Sequence, residues 1–174
     1  MHELKKGNSK DPHETIVLGI DPGLRISGYG VVKKKGRDAM LVDCGYLSMS
    51  PSKSLVERIG IFYNFFLHKI NEWHVSDIAL ETPFLGRNAQ TFLKLGYLRG
   101  LIYLLSDSHD IVIHEFSPRE IKQTLTGFGG AGKEQIARVI MQFFPRLQQQ
   151  KKLDVTDALA ITLCGLWKSK QIYL

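Results

Sequence analysis

Eight residues near the start of this 174-residue chain limit its folding most: Ile16-Val17-Leu18-Gly19-Ile20-Asp21-Pro22-Gly23. The run is apolar and rich in β-branched residues, and it ends abruptly at a Pro-Gly pair. It therefore reads as a strand buried on both faces of a sheet, which demands covering layers on either side. Asp21 falls at its last position. A buried carboxylate needs a partner, so Asp21 either caps the turn beyond Pro22 or projects from the sheet's end to bind a cation. The residues that follow have to decide between these.

Downstream, Ile26–Val32 reads as a second strand whose glycines imply close backbone approach or a bulge, and Lys33–Arg37 as a basic turn. Ala39–Leu47 then makes a third strand and completes an antiparallel meander. Leu55, Ile59, Phe62, Phe66, Ile70 and Trp73 recur at helical spacing, so Ser54–Trp73 is a core-facing helix. Val75–Leu80 is a fourth strand that again stops on a carboxylate, Glu81. In the loop that follows, Asn88 is a cap for the helix from Ala89, and Phe84 is either folded onto the core or stacked on an unpaired base.

Helix Ala89–Ser106 carries Gly96 and Gly100 four apart, a spacing that permits close helix approach within the domain or across a dimer. Ile111–Phe116 is a fifth strand, with His114 structural, and Ser117-Pro118 opens another helix. The stretch Gly127–Lys133 lacks a preceding strand and a Ser or Thr after the lysine, so it fits a phosphate-cradling loop poorly. Lys133 opposes the dipole of the helix it begins, Lys133–Phe144, which points to a shared anion there. The last helix, Leu153–Trp167, has Asp154 and Asp157 on one face of its first turn. The macrodipole accounts for such a pair, but the apolar residues that follow put it at the margin of a core.

Composition matters mainly for partners. Most of the net charge of +6 lies in the second half, and between Ser117 and Lys152 the basic residues Arg119, Lys122, Lys133, Arg138, Arg146, Lys151 and Lys152 face only Glu120 and Glu134. Such a cluster is a solvated face or a nucleic-acid surface, and a cleavage site beside it favours the latter. No apolar run is long enough for a membrane span, and Met1–Thr15 is polar and reads as a mobile extension before a single domain at 16–174. Cys44 and Cys164 are far apart and read as free thiols of a reducing cytoplasm.

Taken together, Asp21, Glu81, Asp154 and Asp157 are an oxygen-only set suited to hard divalent cations, as in two-metal phosphodiester hydrolysis. In residue order the chain resembles the RuvC family of Holliday junction resolvases, from Ile16 to Leu166. The likeness rests on Gly19-Ile20-Asp21-Pro22-Gly23 with Gly28-Tyr29-Gly30, on Leu80-Glu81 with Phe84 and Asn88, and on Leu93-Lys94-Leu95-Gly96 with Arg99-Gly100. It continues through Ser117-Pro118 with Ile121-Lys122-Gln123, Thr126-Gly127 with Gly129, Lys133-Glu134-Gln135-Ile136, and Asp154 with Asp157-Ala158-Leu159-Ala160.

The resemblance implies an α/β, ribonuclease H-like fold: a mixed five-stranded sheet with helices on both faces, in a homodimer built on helix Ala89–Ser106. It implies a structure-selective endonuclease that resolves four-way junctions by paired symmetric nicks in recombination and repair. Asp21, Glu81, Asp154 and Asp157 would hold Mg²⁺, two ions per site with Mn²⁺ able to substitute, and a branch-migration helicase complex is an expected partner. Lys122 and Lys133 would lie near the DNA, Lys133 by the scissile phosphate, and Phe84 would contact junction bases. Pro83 and Phe92 depart from the family's usual pattern. A ribonuclease H-like nuclease for RNA or other branched DNA, an actin-like nucleotide-binding domain and a non-catalytic junction binder are the rival readings. The actin-like one leaves Glu81 and the Asp154/Asp157 pair unexplained.

Overall fold

The computed structural model describes residues 14–36, 38–83, 89–145, 147 and 153–168, the side chains of Leu153 and Asp154 excepted. In chain order the elements are β1 (Glu14–Asp21), β2 (Ile26–Lys35), β3 (Asp38–Ser48), α1 (Leu55–Trp73), β4 (Asp77–Glu81), α2 (Ala89–Ser108), β5 (Val112–Phe116), α3 (Pro118–Thr126), α4 (Lys133–Phe143) and α5 (Leu153–Lys168). The strands form one sheet in the order β3-β2-β1-β4-β5. β1 to β3 run antiparallel, whereas β4 and β5 run parallel to β1.

The central position of β1 explains its apolar run, since its side chains feed two cores in alternation. Leu18 and Ile20 join Phe62, Phe66, Leu98 and Ile102 under α1 and α2. Val17 points the other way, into a core with Ile121, Ile140, Leu159 and Ile161 under α3, α4 and α5. Capping boxes at Ser54/Glu57 and Ser117/Glu120 start α1 and α3, the second with proline in its first turn. Gly127, at φ 75°, ends α3 in the left-handed conformation.

Element ends differ from the sequence reading by a residue or two in several places, and most where the start of β1 pairs with the end of β2. Glu14 and Thr15, assigned there to the extension, pair with Lys35 and Lys34, and Lys33 Nζ reaches Glu14 at 2.8 Å. The basic run Lys33–Lys35 is thus the end of β2, not a turn. Met1–Lys10 and the residues up to 13 lie outside the described residues, as do Arg37, Arg146, Lys151 and Lys152. Strand irregularity in β2 sits at Val31/Val32, and Gly30 serves close approach instead.

His114 is structural: its Nε2 lies 2.7 Å from Asp77 Oδ1, both side chains being buried. Cys44 and Cys164 are free, and burial pushes the Cys164 thiol up to about 12. At Gly96 and Gly100 an added Cβ would meet nothing within 4 Å, so neither glycine serves packing against the described residues. Among the described residues no helix is long and apolar enough to cross a membrane.

α5 lies directly on the sheet, buried at Val155 and from Ala158 to Leu166. Its approach depends on missing side chains: a Cβ at Gly165 would sit 2.7 Å from Ala79 Cβ, and one at Gly30 3.2 Å from Leu159 Cγ. At Gly19 the obstacle is backbone, with Thr162 N at 2.6 Å and Ala158 O at 2.7 Å. A Gly19→Ala variant therefore has to lift α5 off β1. We expect a loss of about 1–3 kcal/mol from overpacking, read as a melting temperature lower by several degrees. Gly60→Ala, where an added Cβ meets nothing within 4 Å, should instead gain about 0.5–1 kcal/mol from helix propensity.

Candidate active site

Parallel register brings the two strand-end carboxylates together. Ile20 pairs with Leu80, so Asp21 and Glu81 are the next residues along neighbouring strands and share a face. That face is the one α5 covers, because Gly19 and Ala79, two residues earlier, touch α5. Gly165 lies over Val17 and Ala158 over Gly19, so α5 runs antiparallel to β1 and its first turn overhangs the strand ends. The carboxylates thus collect where parallel strands end, the usual location of sites in α/β sheets.

Glu81 is the hinge of the arrangement. One recess, of about 320 Å³, lies between it, Lys122, Lys133 and Asp157. A second, of about 170 Å³, lies between Glu81, Asp21, Phe92 and Arg99. Phe92, the unusually bulky residue of α2, therefore walls the Asp21 side of the site, and so does Pro83. Lys133 Nζ stands 3.7 Å from Asp157 Oδ2, where the charge at the start of α4 finds its counterpart. Another recess, of about 530 Å³, opens between α3 and α5 but none of the candidate carboxylates lines it.

The turn after Asp21 is clasped by a residue that sequence reasoning passed over. Buried Ser27 accepts from the Gly23 N–H at 3.0 Å and donates to the Gly23 carbonyl at 2.8 Å. Arg99 was also missed as a builder of the site. Its buried guanidinium donates to the Glu81 carbonyl at 2.6 Å, to the Tyr103 hydroxyl at 3.2 Å and to the Glu115 carboxylate. One side chain of α2 thus fixes the main chain of Glu81 and the end of β5. The available signal was an arginine within the apolar stretch Leu98–Leu105 of α2, since a charge buried there requires partners.

Burial and the neighbouring Asp157 push the Glu81 carboxyl above its ordinary range, against the pull of Lys122, Lys133 and Arg99. Carboxylates crowded in this way, with only oxygen donors, fit a divalent cation. Among the described residues, no three acidic, histidine or cysteine side chains stand close enough to hold one ion together. The structure brings Asp21 beside Glu81 and Glu81 beside Asp157 without joining all three at a point. Asp154 belongs to the first turn of α5, but its side chain is outside the described residues, as are Phe84 and Asn88.

A mixed sheet in this strand order, with helices on both faces and acidic residues at its parallel strand ends, is a ribonuclease H-like domain. The family described as "Crossover junction endodeoxyribonuclease RuvC" matches residues 17–165, and the chain belongs to it. A relative of that description from Pelodictyon phaeoclathratiforme is 41% identical over 151 residues, covering 87% of this chain and 79% of its own. One from Prosthecochloris aestuarii is 44% identical, covering 87% and 81%. Thermus thermophilus RuvC, solved in complex with a Holliday junction substrate, superposes with a TM-score of 0.83 at 27% identity, over 90% of this chain and 95% of that one.

The raised proton affinity of Glu81 has a measurable sign. A carboxyl held above its ordinary range favours folding when protonated, and this contribution is lost as pH rises through its folded-state value. Without divalent cations, Glu81→Gln should therefore raise the melting temperature at neutral pH. The gain should vanish below about pH 4, where the ordinary carboxyl is itself protonated. Melting curves at the two pH values check this.

Proposed function

We propose that this protein resolves four-way (Holliday) DNA junctions by paired symmetric nicks, hydrolysing phosphodiesters with Mg²⁺ in homologous recombination and repair. The observation that carries the reading is Glu81, raised in proton affinity between Asp21 on one side and Asp157 with two lysines on the other. Family membership and the junction complex of the Thermus thermophilus relative support the substrate.

In this reading Asp21, Glu81, Asp154 and Asp157 hold two Mg²⁺ ions, for which Mn²⁺ can substitute. Divalent cations at such a site supply Lewis acidity at phosphoryl oxygens and lower the pKa of water. The chain's own residues do the rest. Arg99 holds the Glu81 main chain in place, so the carboxylate need not be ordered when substrate arrives. Lys133, beside Asp157, presents positive charge to the scissile phosphate, and Lys122 holds the backbone of the same DNA. Phe84 stacks on a junction base.

A homodimer suits two symmetric cuts, because a two-fold axis relates both the sites and the strands. Supporting it, α2 exposes Leu93, Tyr97 and Leu104 around the unfilled surfaces at Gly96 and Gly100. The free thiols of Cys44 and Cys164 are in keeping with a reducing cytoplasm, where a branch-migration helicase complex would deliver the junction.

Cleavage of synthetic four-way junctions, duplexes and structured RNA by the purified protein tests the reading, and selective paired nicking of junctions is the expected result. Asp21→Asn should abolish nicking while a gel shift shows junction binding retained or slightly tighter, since a negative charge near phosphate is gone. Lys122→Ala should lower the slope of log affinity against log salt by about one. Lys133→Ala should instead slow cleavage at saturating protein by roughly 100- to 1000-fold, as for loss of about 3–4 kcal/mol of charge stabilisation.

A further inference from the structure

Across the carboxylates from Lys122 and Lys133, the β1–β2 loop, α1 and α2 enclose a groove of about 560 Å³ lined by Pro22, Arg25, Arg58, Thr91, Lys94 and Leu95. Among the described residues, no acidic one lines it. Some cations elsewhere on the chain have carboxylate partners, as in Lys33 with Glu14, Lys69 with Asp43 and Arg99 with Glu115. Among the described residues, Arg25, Arg58 and Lys94 have none. Arg58 is held to the loop by one bond, from Nη1 to the Leu24 carbonyl at 3.2 Å. Its Nε is buried with no hydrogen-bond partner.

Three converging like charges repel one another, and a buried guanidinium nitrogen without an acceptor is costly. An anion in the groove relieves both. The position of the groove points to the anion: Pro22 and Leu95 line both the groove and the Asp21–Glu81 recess, so the two adjoin. A polyanion lying across the candidate carboxylates from Lys122 therefore runs on into this groove. The planar fork of Arg58 suits phosphodiester oxygens, while Arg25 and Lys94 are exposed and able to follow a backbone.

We propose that the groove of Arg25, Arg58 and Lys94 binds the phosphodiester backbone of the DNA on the flank of the cut opposite Lys122 and Lys133. The inference rests on the junction-nuclease reading. Nucleic acid is then gripped on both sides of the scissile bond, and the groove contributes to holding that bond over Asp21 and Glu81.

The test uses the full chain carrying Asp21→Asn, with a synthetic four-way junction titrated across a salt series. Arg25→Gln and Lys94→Gln should each lower the slope of log affinity against log salt by about one, and together by about two. Arg58→Lys keeps the charge and tests the fork, and it should weaken binding with the slope unchanged. Single methylphosphonates, each removing one phosphate charge, then map the contact. On one flank of the cut they should weaken binding to the parent chain and have no further effect in the Arg25→Gln/Lys94→Gln double variant. An unchanged slope in that double variant, alongside a lowered one in Lys122→Ala, would overturn the groove and leave the nuclease reading intact. So would a lowered slope with methylphosphonate effects that persist undiminished. A parent chain that binds four-way junctions no better than duplex overturns both.

Discussion

The distance between α5 and the centre of the sheet controls the rest of the molecule. Gly19, Gly30 and Gly165 carry no side chain where the helix crosses β1, β2 and β4, so α5 settles to a separation that a single methyl group would prevent. At that separation Thr162 Oγ1 lies 2.7 Å from the Ala158 carbonyl and 3.2 Å from the Gly30 carbonyl, tying helix to strand inside the core. The direction of α5, antiparallel to β1, then decides which of its ends meets the strand-end carboxylates. It is the N-terminal end, whose partial positive charge moderates their repulsion.

Acidic side chains gathered in this way work against folding, and the surrounding structure is arranged to carry that cost. Lys122, Lys133 and Arg99 draw the Glu81 proton affinity down, although burial and Asp157 prevail. Arg99 contributes twice, through its charge and through its bond to the Glu81 carbonyl, and Glu115 and Tyr103 satisfy the rest of its guanidinium. A residual electrostatic strain left in a folded protein is what a cation-binding site needs, because the ion then binds a place already organised for it.

Much of this was legible in the residues because local signals and tertiary demands agreed. The unbroken apolar run of β1 required two covered faces, and the structure supplies α1 with α2 on one and α3 to α5 on the other. The repeated stop on a carboxylate, at Asp21 and again at Glu81, became neighbours through parallel register. Where pairing is made by distant chain, sequence misled or fell silent. Glu14 and Thr15 look like tail until Lys34 and Lys35 come alongside them. The spacing of Gly96 and Gly100 permitted an inward or an outward role, and only the packing of α2 excludes the inward one. The partners of Arg99 were unreadable because Glu81 and Glu115 arrive from two different strands.

The crossing of α5 over β1 also bears on when the protein becomes competent during synthesis. Asp21 and Glu81 emerge from the ribosome well before Asp157 and the helix that carries it. β1 and β4 cannot bury their second face until α5 arrives to cover it. Assembly of the carboxylates is thus a late, long-range event, dependent on contacts of high sequence separation. A nascent or prematurely terminated chain lacks part of its core and part of its acidic set at once. The topology makes burial of the second sheet face and assembly of the acidic cluster a single step, so DNA meets that cluster only in chains whose α5 has docked.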